Sequence, residues 1–539
     1  LIYRSEYIVN YCIGCGTTYA DLEVDHQEKE DPLYFIRYKL VNPKKGDPEF
    51  LEVATVRPEP IMVDTHLAVN PGDKKNSKYA GRKVLNPITD TPMDIIANSF
   101  VDPKFGTGIV KLTPAHDKAD YEVARKNNLP IKAAIDWNGK MNENTGKYQG
   151  LTVIEARKQI VDELNKKGLT NTNKTQVRYK HLVPICAKVG HNIEQLTLPN
   201  WFVKVDDPKI SFKKPAYQAV IQGKVKIYPK WREKTYLRWM EEMHDWAISR
   251  QNVWGIRIPI WYEIENPNQI NVWFVDEKGK DHSGPLGQFL DQGITLEAII
   301  TGLQRVSALE SVKWVLEKDK NNRQYLPETD TFDTWFSSGQ WPLITLGYPS
   351  SDDYKKFYPT QVMETGWEII RLWVSRMMMF GMYLDPQHHP PFENVYLHGM
   401  VKALDGRKMS KSLGNVINPE EYIEGYGVDA LRMGLISGTA NGKDFAFPKD
   451  KVIAYKHFSN KIWNMTRFIL IMKDNYQGEV KGFSKSLLLN DEDKTVLEGL
   501  NRLIKGVDSS LEKFRFAEAG EVIYQFVWHS VADKYIEHV

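Results

Sequence analysis

Between residues 452 and 531, apolar side chains return every three or four positions. Val452, Tyr455, Phe458, Ile462, Met465, Ile469 and Met472 make one stripe, Val496, Leu500, Leu503, Val507, Leu511 and Phe514 a second, and Ala519, Ile523, Phe526, Val527 and Val531 a third. Spacing of this kind predicts successive amphipathic helices, and hence a helical bundle over 448–539 with the stripes as its core. Upstream the period changes. Short strand-like runs such as Phe50-Leu-Glu-Val-Ala54 and Gly106-Thr-Gly-Ile-Val-Lys-Leu112 alternate with Gly/Pro turns, and helical patterns follow near 118–127 and 153–167. They predict a compact β-rich domain over 49–170, preceded by connective strands over 1–48. A return connection over 171–224 carries Pro184, Pro199 and Pro208, and helices then alternate with short strands from 225 to 447, the pattern of an open α/β sheet. The most apolar long stretch, 369–384, contains Arg371 and Arg376, so it reads as a buried amphipathic helix and not as a membrane span.

At 539 residues the chain exceeds one core, and a prior of one domain per ~150 residues gives three or four. Lys plus Arg number 71 against 69 Asp plus Glu, so a nucleic-acid partner must be held by local patches and not by a global field. Three cysteines do not form a disulfide framework, which fits a reducing cytoplasm. The chain opens at Leu1 and closes inside a helical pattern at Tyr535-Ile-Glu-His-Val539, which reads as an internal fragment of a longer protein.

The candidate chemistry begins at Lys408-Met-Ser-Lys-Ser412, between Gly406 and Gly414. A β-branched and aromatic strand, Asn394-Val-Tyr-Leu-His-Gly-Met-Val401, precedes it, and Asn418-Pro-Glu-Glu421 supplies a helix N-cap with proline at the first helical position. Ammonium groups on a strand-to-helix loop can follow the phosphates of ATP and stabilise charge as pyrophosphate leaves; a solvated basic turn is the alternative. The string resembles the signature loop of class I aminoacyl-tRNA synthetases. Other strings agree in order: Asp245-Trp-Ala-Ile-Ser-Arg-Gln-Asn-Val-Trp-Gly-Ile-Arg-Ile-Pro259, Asp333-Thr-Trp-Phe-Ser-Ser-Gly-Gln-Trp-Pro342, Gly366-Trp-Glu-Ile-Ile370 and Asp429-Ala-Leu-Arg432. Asp333-Thr-Trp-Phe-Ser-Ser is similar to the valyl-type version, where an isoleucyl enzyme is expected to carry Val for the Thr and Asp after the Phe. The chain is thus identified as resembling the valyl-tRNA synthetase family along its whole length.

That resemblance implies an α/β multidomain fold. It comprises the second half of a Rossmann-type catalytic domain (225–447), interrupted by an editing domain (49–170) and followed by a helical anticodon-binding domain. It implies ATP with Mg2+, valine and a valine-accepting tRNA as ligands of a cytoplasmic monomer with no membrane partner. Lys408, Ser410, Lys411 and Ser412 are the implied catalytic loop, with Lys411, Gly366, Glu368, His398 and Gly399 at ATP. Trp254 and Asp333 are implied at the amino-acid pocket, although a tryptophan is ordinarily a core residue and an acid can be structural. Glu368 suits a ribose diol, with helix capping as the competing role. A His-Ile-Gly-His string, expected on the first half of the nucleotide sheet, does not occur in the chain.

The β-rich segment holds Ala54-Thr-Val-Arg-Pro-Glu-Pro60, Phe105-Gly-Thr-Gly108 and Lys111-Leu-Thr-Pro-Ala-His-Asp-Lys-Ala-Asp120, which resemble an editing site that hydrolyses mischarged tRNA. This enzyme family is the usual worked example of the need: a hydrophobic pocket rejects Thr against Val by only about a hundredfold. Arg57, Phe105, Lys111, Thr113 and Asp117 are the implied pocket, with Asp120 on the α-amino group. Val56 and Pro60 depart from the common Thr-Thr-Arg-Pro-Glu-Thr string. His116 between acids invites a metal or general-base reading, but His-Asp-x-x-Asp is a weak pattern beside a helix start. Cys12-x-x-Cys15 is half of a zinc knuckle that Cys186 and His191 could complete, with buried thiols as the alternative. The reading is a valine–tRNA ligase with hydrolytic editing of threonyl-tRNA. The alternatives are an isoleucine–tRNA ligase, or an editing-only hydrolase for the chain as it stands.

Overall fold

The computed structural model describes residues 1–207, 209–252, 254–319, 323–410, 414–478 and 490–538. Its contacts divide into two units: Leu1–Lys204 with Asp245–Ser337, and Val205–His244 with the remainder from Ser338. The 225–447 range expected as one domain is therefore shared between them.

The first unit is built on strands β1 (Ile2–Cys12), β2 (Val24–Leu40), β3 (Phe50–Thr55), β4 (His66–Val69), β5 (Lys83–Leu85), β6 (Pro92–Ala97), β7 (Ile109–Leu112), β8 (Gln176–Cys186) and β9 (Ile193–Val203). The strands from β2 to β7 form a sheet in the order β3-β2-β5-β6-β4-β7, with β8 also paired to β2, so the sheet takes in strands on both sides of the 49–170 range. β4 and β6 run parallel, and β4 and β7 antiparallel. Alternation along β2 buries Ile36, Tyr38 and Leu40 on one core with Leu51, Val53, Leu67, Val84 and Ile95. Two helices cover the sheet where helical patterns were expected, α1 (Lys118–Lys126) and α2 (Val153–Lys166). α2 starts at a Thr152/Glu155 capping box and buries Ala156, Ile160 and Leu164, one residue per turn. Each fully buried Ile or Leu there contributes roughly 1.5–3 kcal/mol. β1 and β9 pair antiparallel from Ile2↔Val203 to Cys12↔Ile193. The end of β9 also pairs Phe202 with Ala247 and Val203 with Trp246, which draws 245–337 into this unit.

The second unit contains three parallel strands, β10 (Lys226–Tyr228), β11 (Thr360–Gly366) and β12 (Phe392–His398), in the order β10-β12-β11. The apolar stretch after Gly366 is helical and buries Met377, Met378 and Met379; its Arg376, 5% exposed, lies over the Trp239 ring. No helix among the described residues is long and apolar enough to cross a membrane. The bundle region holds α3 (Lys449–Asn475), α4 (Asp491–Glu512) and α5 (Phe516–Gln525), which continues as Phe526–Tyr535.

The expected core stripes are buried only in part. Val452, Tyr455 and Phe458 are buried, but Ile462, Ile469 and Met472 are 37%, 45% and 54% exposed. On α4, Leu500 and Leu511 are exposed as well. The cause lies in what packs where: Gly434 lets the Val428–Ile436 helix press against Val452, where an added Cβ would meet Val452 at 2.8 Å. Beyond Phe458 the apolar face of α3 carries no comparable cover among the described residues.

Candidate functional site

Lys111 and Thr113, expected at the hydrolytic pocket, meet at an acid that the sequence pattern does not single out. Asp64, in the turn before β4, is buried. Its Oδ1 accepts from Lys111 Nζ at 3.0 Å and from Thr113 Oγ1 at 2.7 Å, and its Oδ2 accepts from Tyr38 OH at 2.8 Å. Lys111, 8% exposed at the end of β7, also donates to Thr113 Oγ1 at 2.5 Å. An ammonium is tolerable there because a carboxylate faces it; removing either partner of such a pair leaves an uncompensated charge, at about 3–5 kcal/mol. Thr113 spends its proton on Asp64, so a further hydroxyl approaching Thr113 must act as donor.

One turn on, Thr113 N–H donates to Asp120 Oδ2 at 2.8 Å, and Asp117 caps α1 by accepting from Asp120 N–H at 3.0 Å. Burial, and then the neighbouring Asp117, push the Asp120 carboxyl up to about 7. Lys111, Thr113, Asp117 and Asp120 are thus brought together. Arg57 belongs to an adjacent network: Nε lies 2.8 Å from Glu59 and Nη2 2.6 Å from Glu194, while Arg157 holds the other side of Glu59 at 2.9 Å. Phe105 sits on an exposed turn, 42% accessible. Both ring nitrogens of His116 are engaged by backbone groups. Its Nε2 accepts from Ala134 N–H at 2.7 Å and its Nδ1 donates to the Gln195 carbonyl at 3.1 Å, while burial, then the Arg57 charge, lowers its pKa to about 3.

Cys12, Cys15, Cys186 and His191 offer ligand atoms within 4.8 Å of one another. Cys12 Sγ and Cys15 Sγ lie 3.7 and 3.6 Å from His191 Nδ1, and Cys15 Sγ lies 4.0 Å from Cys186 Sγ. Tetrahedral Zn2+ with Zn–S of 2.3 Å and Zn–N near 2.0–2.1 Å has edges of roughly 3.5–3.8 Å, so the donor set fits. Gly14 is required at this approach, because a Cβ there would collide with the His191 ring. Burial raises the Cys186 thiol, but the N–H groups of Val189 and His191 outweigh it and bring it down to about 7.

In the second unit, β11 and β12 end side by side at Gly366 and His398, the strand edge at which open α/β sheets bind ligands. A Cβ on Gly366 would lie 2.5 Å from the Glu368 carboxylate, and Glu368 Oε2 is buried with no hydrogen-bond partner among the described residues. His398 Nδ1 is 2.9 Å from the Gly399 carbonyl, and Gly399 packs so closely on the Lys443 carbonyl that no side chain fits. Lys408 and Ser410 sit on a loop clasped by Asn415, which accepts from Ser410 N–H at 2.8 Å and donates to the Lys408 carbonyl at 3.1 Å. Lys411 and Ser412 lie outside the described residues. Sequence reasoning missed Arg232, stacked between the Trp231 and Trp367 rings at 4.0 and 3.7 Å, and Asp444, which accepts from Trp367 Nε1 at 2.6 Å.

The two residues expected at the amino-acid pocket differ in burial. Trp254, in the first unit, is 93% exposed, and at Gly255 beside it, with φ +153°, an added Cβ would meet Thr331 at 2.9 Å. Asp333 is 2% exposed, and its carboxylate is engaged by Arg250 at 3.1 Å, Trp246 Nε1 at 3.0 Å and Trp335 N–H at 3.3 Å. Both of its oxygens are committed to the protein.

The description tRNA synthetases class I (I, L, M and V) matches residues 1–448, and that of the anticodon-binding domain of tRNA ligase matches 493–539. The valine–tRNA ligase of Petrotoga mobilis is 39% identical over 538 residues, covering 100% of this chain and 55% of that protein. That of Thermotoga maritima is 38% identical, covering 100% and 56%. The chain spans about half the length of these relatives. A solved LeuRS from Agrobacterium radiobacter, in a ternary complex with tRNA, is 17% identical with a TM-score of 0.44, covering 99% of this chain and 67% of that one. On the match to residues 1–448, the chain belongs to the class I tRNA synthetases of the isoleucine, leucine, methionine and valine group.

Proposed function

We propose that this chain is the editing and signature-loop portion of a valine–tRNA ligase, which charges valine-accepting tRNA at the expense of ATP and clears threonine from it by hydrolysis. The observation that carries the hydrolytic part is the buried Asp64–Lys111–Thr113 cluster joined to Asp120 through the Thr113 N–H. In this reading Asp120, as a carboxylate, holds the α-ammonium of the charged amino acid. Thr113, its proton given to Asp64, accepts from the threonine side-chain hydroxyl, which valine cannot supply. Lys111 lends positive charge where an oxyanion develops. Lys408 and Ser410 act on ATP–Mg2+, Glu368 takes the ribose, and Trp254 walls the valine pocket. The strings at 333–338 favour valine over isoleucine, and the relatives at 38–39% identity are valine–tRNA ligases. The protein works as a cytoplasmic monomer.

Cys12, Cys15, Cys186 and His191 would hold Zn2+, which supplies a covalent-strength cross-link and no reaction chemistry. That staple ties β1 to the turn between β8 and β9.

The test is deacylation of valine-accepting tRNA charged with Thr or with Val, beside an Asp120→Ala control. Release of Thr that spares Val and is lost in the control is expected. Equal release of both amino acids, or full release by the control, would refute the assignment of this pocket.

A further inference from the structure

The strand that follows the Cys/His cluster reaches both hydrolytic loops with consecutive residues. β9 begins at Ile193 opposite Cys12, and the register continues as Tyr11↔Glu194 and Asn10↔Gln195. Glu194, whose side chain is 13% exposed, places Oε2 2.6 Å from Arg57 Nη2. Gln195 offers two acceptors to the other loop. Its carbonyl takes the His116 Nδ1–H at 3.1 Å, and its side-chain Oε1 takes the Lys118 N–H at 2.8 Å. Lys118 opens α1, where the first N–H groups have no acceptor within the helix. Asp117 caps Asp120 N–H from inside the turn, so the Gln195 amide serves the donor that Asp117 leaves over. His116 closes the arrangement by accepting from Ala134 N–H.

We propose that Glu194 and Gln195 are positioning residues of the hydrolytic site, which dock the Arg57 loop and the His116–Asp120 turn on one strand so that the two loops keep a fixed spacing. The proposal rests on the hydrolytic reading above. Its physical content is that neighbouring strand residues stand about 3.3 Å apart on a paired, stiff backbone. Two loops far apart in sequence thereby share one ruler. Neither residue needs to touch substrate; each acts through Arg57, or through the turn that presents Asp117 and Asp120. Displacement of such groups by an ångström is enough to slow a positioned reaction.

Three variants of the full chain test this: Gln195→Leu, which keeps shape and loses the Oε1 acceptor, Gln195→Glu, which keeps an acceptor, and Glu194→Gln, which removes the charge facing Arg57. Two readouts are taken. One is the single-turnover release of Thr from valine-accepting tRNA at saturating protein, at about pH 8.5 so that Asp120 is ionised despite Asp117 beside it. The other is amide hydrogen exchange by segment. Gln195→Leu is expected to slow release about fivefold, the scale of one lost hydrogen bond, and to speed exchange in 116–121 alone. Glu194→Gln should slow release and speed exchange in 55–60 alone. Gln195→Glu should restore slow exchange at 116–121 and most of the rate. Unchanged release in both loss variants, exchange unaltered at these loops, or faster exchange spread over the whole first unit would overturn the proposal. A wild-type chain that releases nothing overturns the hydrolytic reading and this proposal with it, whereas normal release in every variant overturns the proposal alone.

Discussion

Asp120 carries a cost that its proposed role explains. Its carboxyl stands at about 7, raised first by burial and then by Asp117, against an ordinary value near 3.8. A folded-state pKa above the unfolded one means that the folded protein holds a proton which the unfolded chain releases. The associated stability is fully present below about pH 4 and is lost as pH rises through about 7. Asp120→Asn removes the titration while keeping an acceptor for Thr113 N–H. Denaturant unfolding should therefore find variant and wild type close at pH 4, with the variant gaining progressively up to pH 8, by on the order of 2–4 kcal/mol. A gap that is constant with pH would show that Asp120 ionises without strain. His116 titrates in the opposite sense, its stability present above about 6.5 and lost as pH falls toward about 3, and it cancels from the comparison. Asp120, Lys111 and Thr113 were legible because they stand in one short string. Asp64 was not: a single acid before a strand reads as a turn residue, and only the pairing of β4 with β7 through Leu67↔Lys111 and His66↔Leu112 brings it to Lys111.

Among elements, the knuckle at the root of β9 is the clearest case of sequence spacing meeting geometry. Cys12-x-x-Cys15 and Cys186-x4-His191 are far apart in the chain, yet β1–β9 pairing and the β2–β8 ribbon, which sets Val24 opposite Cys186, bring them together. If zinc occupies the cluster, metal analysis should give about one Zn2+ per chain, and Cys186→Ser should give none. Removing the metal with a strong chelator should lower the unfolding midpoint of the first unit by several degrees and speed exchange at the start of β9, because the ion binds the folded arrangement and not the unfolded chain. Equal melting with and without chelator would leave the four residues as a cluster of small side chains. Helix positions were equally legible: expected near 118–127 and 153–167, they are Lys118–Lys126 and Val153–Lys166. The bundle stripes were misjudged for a physical reason. A 3.6-residue period reports that a helix has an apolar face, and it carries no information about what covers that face; Val452 to Phe458 find a neighbour, and Ile469 and Met472 stand exposed.

For the whole molecule, two compact units replace the three or four domains that length alone suggests. The local pattern could not show that 245–337 leaves the α/β range, since the link is a two-residue pairing with β9 across forty intervening residues. Each unit has its own large buried aromatic. Trp201, 1% exposed, donates Nε1–H to Glu328 Oε2 at 2.8 Å in the first. Phe392, also 1% exposed, opens the central strand of the parallel sheet in the second. Truncating either to alanine deletes buried contacts and leaves a cavity, at about 3–5 kcal/mol. Units with separate cores need not unfold together. Calorimetry should resolve two transitions, with Trp201→Ala lowering only one of them and Phe392→Ala only the other. The transition lowered by Trp201→Ala should also be the one that chelation lowers and that Asp120→Asn raises above neutral pH, because the Cys/His cluster, Asp120 and Trp201 all belong to the first unit. A single transition that both alanine variants shift equally would mean that the two cores fold as one, and the first unit would then have no stability of its own to measure.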